Sequence, residues 1–183
     1  GALGNILTVS TIFSQRCYEL YRGQEQYRNR PPDYPSPNAA SYSDPAIVGG
    51  GEGHTQTTHP VGIMLWLTGM QPTSVFSYMN NLDLPLDVVN SILVRFDGGT
   101  LGTVTTSGLI PPRGFVYQIT VIGDEGTIIM DAATRSVLIR GKGDEQPRKI
   151  EFVREDTLPM VPRNFVRAIL GEGSAVGLFN PMN

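Results

Sequence analysis

The feature that most constrains the fold is an alternation of apolar and polar residues that runs from residue 74 to residue 153. A period of two is typical of β-strands, because successive side chains point to opposite faces of a sheet. The pattern predicts strands at residues 74–79, 89–96, 101–107, 116–122, 126–130, 136–139 and 148–153. Clusters of glycine, proline and aspartate separate these segments, so the links are short and neighbouring strands are expected to be antiparallel.

Three further segments are predicted to be regular. Residues 6–13 are apolar and β-branched and predict another strand. Residues 53–69 predict a helix whose C-terminal half is apolar nearly all round, so we expect it to be buried on several sides. Residues 161–170 predict a second helix, and residues 173–183 show no evident structure. Together they predict an α+β fold, in which an open-faced, mostly antiparallel sheet carries helices on one face.

Residues 16–48 differ in character, since they hold five prolines and five of the seven tyrosines. Proline favours extended backbone, and basic and acidic side chains balance along the segment. In a nucleic-acid-binding patch, basic side chains would outnumber acidic ones. The segment is therefore predicted to be either a surface arm packed by its tyrosines or a lid that lines a site for a polar substrate.

Charge, cysteine content and apolar run length exclude several classes of protein. With a net charge of -3 and a pI of about 5.3, the chain does not suit a nucleic-acid binder that neutralises phosphates. Its one cysteine, Cys17, cannot form an internal disulfide, and we expect a cytoplasmic location. The longest apolar run, residues 63–67, is too short to cross a bilayer, so no membrane partner is expected. Because the chain opens on Gly1, we expect an excised domain.

The two histidines, His54 and His59, are the candidate reactive groups. A spacing of five residues separates them around a helix, and no other residues show metal-ligand spacing, so no metal site is predicted. His59 can exchange a proton near neutral pH, and Thr55 or Gln56, on the same helix face, could hold its second ring nitrogen. Alternatively, either histidine could be a polar side chain with no catalytic role, whose hydrogen bonds are made at a helix N-terminus.

A family resemblance is carried by residues 49–69, which read GGGEGHTQTTHPVGIMLWLTG. This segment resembles the glucose–fructose oxidoreductase / inositol dehydrogenase (Gfo/Idh/MocA) family, whose pattern has three glycines, an Asp, a His four residues later and a Trp-Leu-x-Gly end. The downstream segments QPTSVFSYMNN, VNSILVRFDGGTLGTVTTSG and ITVIGDEGTIIMD agree in order and spacing. The resemblance covers nearly the whole chain and is to the substrate-binding C-terminal domain of the family.

This resemblance implies a fold like the C-terminal domains of glyceraldehyde-3-phosphate dehydrogenase and dihydrodipicolinate reductase. Residues 1–183 would form one substrate-binding and oligomerisation domain. The resemblance also implies that His59 is the catalytic acid/base, while Arg16, Thr55 and Gln56 are expected to bind substrate. Thr55 stands where the family has its Asp, which alters a polyol-type proton relay, and Gln56 is expected to compensate by hydrogen bonding.

The implied function is that of the C-terminal domain of an NAD(P)-dependent oxidoreductase acting on a sugar-like or polyol-like substrate. NAD or NADP would be bound mainly by an N-terminal Rossmann domain that is not in this sequence, so the fragment alone is not expected to be catalytically competent. The bare sheet face would pack against another copy of the chain in a homo-oligomer. Two alternatives stay open, namely a non-catalytic substrate- or partner-binding module and a relative that uses its redox cofactor to process glycosides.

Overall fold

The computed structural model describes residues 3–24, 37–151 and 160–172. The chain divides into two compact units, Gly1–Ile150 and Glu151–Asn183. Part of the proline- and tyrosine-rich segment predicted to be an arm or lid and the tail predicted to be irregular lie outside the described residues. No helix among the residues described is long and apolar enough to cross a membrane.

The first unit is built around one sheet, and its helices precede most of the strands. In chain order the elements are β1 Ile6–Ser14, α1 Tyr18–Tyr21, α2 Ala39–Ser43, α3 Pro45–Val48, α4 Glu52–Thr55, α5 Thr58–Thr68, β2 Pro72–Asn80, β3 Val89–Phe96, β4 Leu101–Ser107, β5 Val116–Gly123, β6 Gly126–Asp131, β7 Ser136–Gly141 and β8 Arg148–Glu151. A short 3-10 turn, Asp97–Gly99, links β3 to β4. The second unit contains α6, Met160–Ile169.

The sheet has eight strands in the order β2-β3-β4-β1-β5-β6-β7-β8. Strand β1 enters the middle of the sheet, where it pairs in parallel with β4 and antiparallel with β5. The pairs β2–β3, β3–β4, β5–β6 and β6–β7 are antiparallel, as their short links require. The predicted α+β fold with an open, mostly antiparallel sheet is therefore confirmed.

The main core lies between α5 and the inner face of the sheet. Met64 of α5 is buried against side chains that alternate along four neighbouring strands, namely Val9, Val94, Phe96, Val104, Ile119 and Val121. Alternation places every second residue on this face, and each such side chain contributes about 1.5–3 kcal/mol through removal from water. The core therefore fixes α5, and the residues at its N-terminus, relative to β1.

The predicted helix at residues 53–69 is two helices, α4 and α5, that are separated by Gln56 and Thr57. Helix α5 begins at Thr58, so Pro60 lies in its first turn, where a missing amide hydrogen costs no helical hydrogen bond. It ends at Gly69, whose φ of 62° is favourable only for glycine.

The expectation that this helix is buried on several sides is wrong. Met64 is 1% exposed, whereas Trp66 is 65% exposed. A helix that lies on a sheet buries only the stripe that faces the strands, so apolar residues on its other sides stay at the surface.

Within the first unit, no described helix covers the outer face of the sheet. Phe76 and Tyr78 of β2 alternate onto it and meet edge to face, with ring centroids 4.9 Å apart. Exposed aliphatic side chains continue this outer face across the sheet, namely Ile12, Leu93, Leu101, Ile122 and Ile129. Such a broad apolar surface is typical of an interface between proteins.

Candidate functional site

The candidate site forms where the C-terminal end of β1 meets the N-terminal turn of α5. The buried ring of Phe13 lies with its centroid 5.9 Å from that of the His59 imidazole. Phe115 and Tyr117, near the start of β5, pack edge-on against Phe13. Their ring centroids lie 6.2 and 4.9 Å from that of Phe13. The His59 imidazole therefore lies beside a cluster of aromatic rings. Because His59 is itself exposed, its imidazole stays accessible to a small molecule.

Gln56 lies in the two-residue link between α4 and α5 and is positioned by a residue that the sequence did not single out. Its side-chain Oε1 accepts a hydrogen bond from Gln15 Nε2, and its backbone carbonyl accepts one from the amide of His59 at 3.0 Å. Because Gln15 occupies Oε1, the amide group of Gln56 has a defined orientation. The Gln56 NH2 group can then donate to a hydroxyl of a bound molecule. Gln15 follows β1 directly, and its position at a strand end was the available sequence signal.

Thr55, the third residue predicted at this site, is turned toward the protein interior. Its Oγ1 donates to the carbonyl oxygen of Gly51 at 2.9 Å and lies 2.6 Å from Tyr21 Oη. Neither Thr55 Oγ1 nor Gln56 Oε1 contacts the His59 ring in these hydrogen bonds. Both side chains instead order the backbone that precedes His59.

Arg16 follows β1 and lies at the protein surface. Its Nη2 is 2.9 Å from Glu19 Oε1, in an exposed ion pair between two residues that are three positions apart in the chain. This hydrogen bond to the guanidinium holds the pKa of the Glu19 carboxyl below its ordinary value. Exposed ion pairs of this kind are weak, so the Arg16 guanidinium could also donate a hydrogen bond to a polar ligand.

Glu52 is a second residue, after Gln15, that sequence reasoning missed. It is the first residue of α4 and is 0% exposed. Its Oε2 accepts a hydrogen bond from Tyr21 Oη at 3.0 Å, and its Oε1 has no partner among the described residues. Desolvation by burial, together with the nearby Asp87 carboxylate, raises its pKa to about 7 despite the hydrogen bond from Tyr21. A single Glu between glycines has no periodicity from which its burial could be predicted.

Asp87 anchors the start of α4 from the segment before β3. Its Oδ1 accepts from the amide of Gly51 at 2.9 Å, and its Oδ2 accepts from the amide of Gly53 at 2.6 Å. The Asp87 carbonyl oxygen accepts from the amide of Glu52 at 2.8 Å. A Cβ at position 51 would lie 2.0 Å from that oxygen, so only glycine fits there. This close approach explains the last residue of the triple-glycine motif.

The chemistry that these residues offer is proton exchange and hydrogen bonding. The described residues contain no group of three or more His, Cys, Asp or Glu side chains that could hold a metal ion. Burial, followed by the charge of Glu52, raises the pKa of the Cys17 thiol to about 12, so Cys17 stays protonated and unreactive. The remaining groups at the site are an imidazole, two amides and several hydroxyls.

The sequence and this fold match a known family. The sequence model of the GFO/IDH/MocA C-terminal domain matches residues 1–129, which is more than half of the chain. The chain therefore belongs to the GFO/IDH/MocA family, as the resemblance of residues 49–69 indicates. A comparison with curated proteins finds no match.

Solved structures share the fold at low sequence identity. Levoglucosan dehydrogenase in complex with NADH has a TM-score of 0.75 and 17% identity, over 97% of this chain and 52% of that one. An inositol dehydrogenase homologue from Azotobacter vinelandii, complexed with NAD+, has a TM-score of 0.66 and 18% identity, over 81% and 37%. The UDP-N-acetylglucosamine 3-dehydrogenase of Acidithiobacillus ferrooxidans has a TM-score of 0.66 and 11% identity, over 93% and 46%. The chain spans about half the length of these proteins, or less.

Proposed function

We propose that this chain is the substrate-binding domain of an NAD(P)-dependent oxidoreductase that acts on a sugar-like or polyol-like substrate. The observation that carries the proposal is the accessible His59 imidazole, which lies beside the buried Phe13 ring at the N-terminus of α5. Family membership and the match of residues 49–69 to the family pattern support the same assignment. A separate nucleotide-binding domain of the parent protein would bind most of the cofactor.

In this proposal His59 exchanges the proton of the substrate. As hydride leaves the carbon of a secondary alcohol, His59 accepts the proton of the hydroxyl on that carbon, and it returns a proton in the reverse direction. A bound nicotinamide supplies the hydride acceptor or donor. Phe115, which is exposed beside Phe13, provides an apolar surface against which a planar ring could pack.

Polar groups after the end of β1 and in the turn before His59 support this substrate class. The Gln56 amide, held by Gln15, and the Arg16 guanidinium donate hydrogen bonds that suit hydroxyl oxygens. Levoglucosan dehydrogenase has been solved with levoglucosan and with L-sorbose, both polyhydroxylated molecules. These neighbours support a polyhydroxylated substrate for the present chain.

A second function is favoured by one observation at Thr55. The family pattern has an ionisable Asp at this position, whereas the Thr55 hydroxyl is committed to Gly51 and Tyr21. A domain that has lost this Asp could bind a sugar or a partner without catalysing its oxidation. Both functions use the same surface, so only turnover separates them.

The decisive experiment is a His59→Asn substitution in the full-length parent protein. We expect turnover of polyols to be lost, by about 100-fold or more, while affinity for the nicotinamide cofactor is unchanged. His54→Asn is the matched control, because His54 is equally exposed but lies on α4. Turnover that survives in His59→Asn would refute the catalytic role. Sugar binding without any cofactor-linked turnover in the native parent would identify the non-catalytic module.

The remaining proposals concern partners and location. We propose that residues 1–183 act as one domain beside the parent's nucleotide-binding domain. The outer face of the sheet, with Phe76 and Tyr78 at one end, is proposed to pack against a second copy of the chain. The buried, protonated thiol of Cys17 fits a reducing compartment such as the cytoplasm.

A further inference from the structure

The Glu52 carboxyl occupies a closed position beneath α4. Gly108, which follows β4, lies against it, and a Cβ at that position would be 2.8 Å from Glu52 Oε2 and 3.2 Å from Tyr21 Cε2. Glu52 is 0% exposed and Tyr21 is 1% exposed. The carboxyl and the phenol therefore contact each other in space from which bulk water is excluded.

The hydrogen-bond pattern around this carboxyl favours its neutral form. An ionised carboxylate in a protein interior normally accepts several hydrogen bonds, but Oε2 receives one, from Tyr21, and Oε1 receives none from the described residues. A proton on Oε2 completes a consistent chain instead. In this neutral form the hydrogen bond between Glu52 Oε2 and Tyr21 Oη reverses its direction, so that Glu52 donates to Tyr21. Tyr21 can then donate to Thr55 Oγ1, while Thr55 donates to the Gly51 carbonyl.

The backbone of Glu52 connects this chain to the residues that precede His59. The Glu52 carbonyl oxygen accepts from the amide of Gln56 at 3.0 Å, from the amide of Thr57 at 2.9 Å and from Thr57 Oγ1 at 3.0 Å. The carbonyl of Gln56 in turn accepts from the amide of His59 at 3.0 Å. Any change in the orientation of α4 is therefore transmitted to the turn that presents the imidazole.

We propose that Glu52 is a positioning residue of the candidate site, whose neutral carboxyl directs the chain Glu52–Tyr21–Thr55–Gly51 and so holds the turn before His59. When the carboxyl ionises, Tyr21 must donate to Glu52, and Thr55 loses the donor that it had from Tyr21. Thr55 then either turns its own proton from Gly51 to Tyr21, or keeps it on Gly51 and loses its hydrogen bond with Tyr21, so the hydrogen bonding of α4 changes in both cases. The catalytic consequence rests on the function proposed above, whereas the hydrogen-bond switch does not.

The groups that face Glu52 determine the pH at which its carboxyl ionises. Desolvation by burial raises the pKa of Glu52 to about 7; the hydrogen bond from Tyr21 on α1 opposes this rise, and the charge of Asp87, on the segment before β3, adds to it. Burial and the charge of Glu52 raise the pKa values of Tyr21 and of Cys17, which precedes α1, so both stay protonated at neutral pH. Glu52 is therefore the group in this cluster that changes charge in the physiological range.

The test is carbon NMR of the Glu52 side-chain carboxyl in the 183-residue chain, recorded against pH. We expect the resonance to show a neutral acid at pH 5.5 and to change with a midpoint near 7. A carboxyl that is already ionised at pH 5.5 would overturn the proposal. This measurement needs no substitution, so it stands even if a Glu52 variant fails to fold.

Variants then test the link to the turn. In a background with both His54→Gln and His59→Gln, which removes both imidazoles, the amide resonances of Gln56 and Thr57 should shift with the same midpoint as the carboxyl. Glu52→Gln, which always carries a donor, should abolish that shift, whereas Glu125→Gln at an exposed ion pair should leave it unchanged. A shift that persists in the Glu52→Gln variant would overturn the proposal. Since every readout is spectroscopic, the result does not depend on whether the parent oxidises sugars.

Discussion

The hydroxyl of Tyr21 and the carboxyl of Glu52 share a hydrogen bond of 3.0 Å, and both side chains are fully buried although 31 residues separate them in the chain. This contact ties α1, at the start of the proline- and tyrosine-rich segment, to α4, which leads into the candidate site. A buried carboxyl with so few donors is costly when charged, so its protonation is coupled to folding.

We expect the stability of the chain to fall as pH rises from 4.5 to about 7. The pKa of Glu52 is raised in the folded state from 4.5 to about 7, so the folded state holds a proton that the unfolded state has lost. The contribution is complete below pH 4.5, declines as pH approaches 7, and amounts to at most about 3 kcal/mol. Urea denaturation of the native chain between about pH 5 and pH 8 measures it.

Glu52→Gln isolates this contribution from those of other titrating groups. The amide resembles the neutral acid, so the variant should match the native chain near pH 5 and exceed it in free energy of unfolding near pH 8. The exposed pair partner Glu125, changed to Gln, is the matched control and should follow the native pH dependence. Parallel curves for the Glu52→Gln variant and the native chain would show that Glu52 does not titrate as expected.

Removal of the Tyr21 hydroxyl is expected to destabilise the chain more than removal of a surface phenol. Tyr21→Phe leaves Glu52 Oε2 and Thr55 Oγ1 without their shared partner, at a cost of about 1–3 kcal/mol. Tyr18→Phe removes a hydroxyl that contacts Asp83 at the exposed surface and should cost less. Thermal and urea unfolding of both variants provide the comparison. Equal losses would mean that the buried hydroxyl has no special structural role.

Two glycine-to-alanine substitutions should change stability in opposite directions. At Gly108 the added methyl group would overlap Glu52 Oε2 and Tyr21, so we expect a loss of about 1–3 kcal/mol. At Gly62, within α5, a Cβ meets nothing within 4 Å, and Gly62→Ala should stabilise the helix by about 0.5–1 kcal/mol. Calorimetry on both variants checks the signs. A neutral effect at Gly108 would show that the carboxyl can move away freely.

Association of the chain is expected to depend on the outer face of the sheet. Leu93 is 50% exposed on β3, opposite Phe76 of the edge strand β2, and Leu93→Glu would bury an unpaired charge in the proposed interface, which should weaken self-association at least about tenfold. Ile47→Glu is the control, because Ile47 is also exposed but lies on α3. Sedimentation velocity over a range of concentrations measures the effect. If both variants associate like the native chain, the interface lies elsewhere.

Most of the sheet could be predicted from sequence because strand pattern and turn chemistry are local signals. Each strand predicted within the described residues is present, and β1 extends one residue beyond its predicted end. The parallel pairing of β1 with β4 was not predicted, because β1 is followed by helices and its place in the sheet depends on long-range packing.

The sequence by itself determined the fold class, through residues 74–151, and the candidate base His59, through its match to a family pattern. Tertiary structure decided what surrounds that base. Gln15 reaches Gln56, and Phe13 reaches His59, only because β1 lies in the middle of the sheet beside α5. It also decided that Glu52 is buried against Tyr21, since burial depends on contacts between distant segments and not on the residues adjacent in the chain.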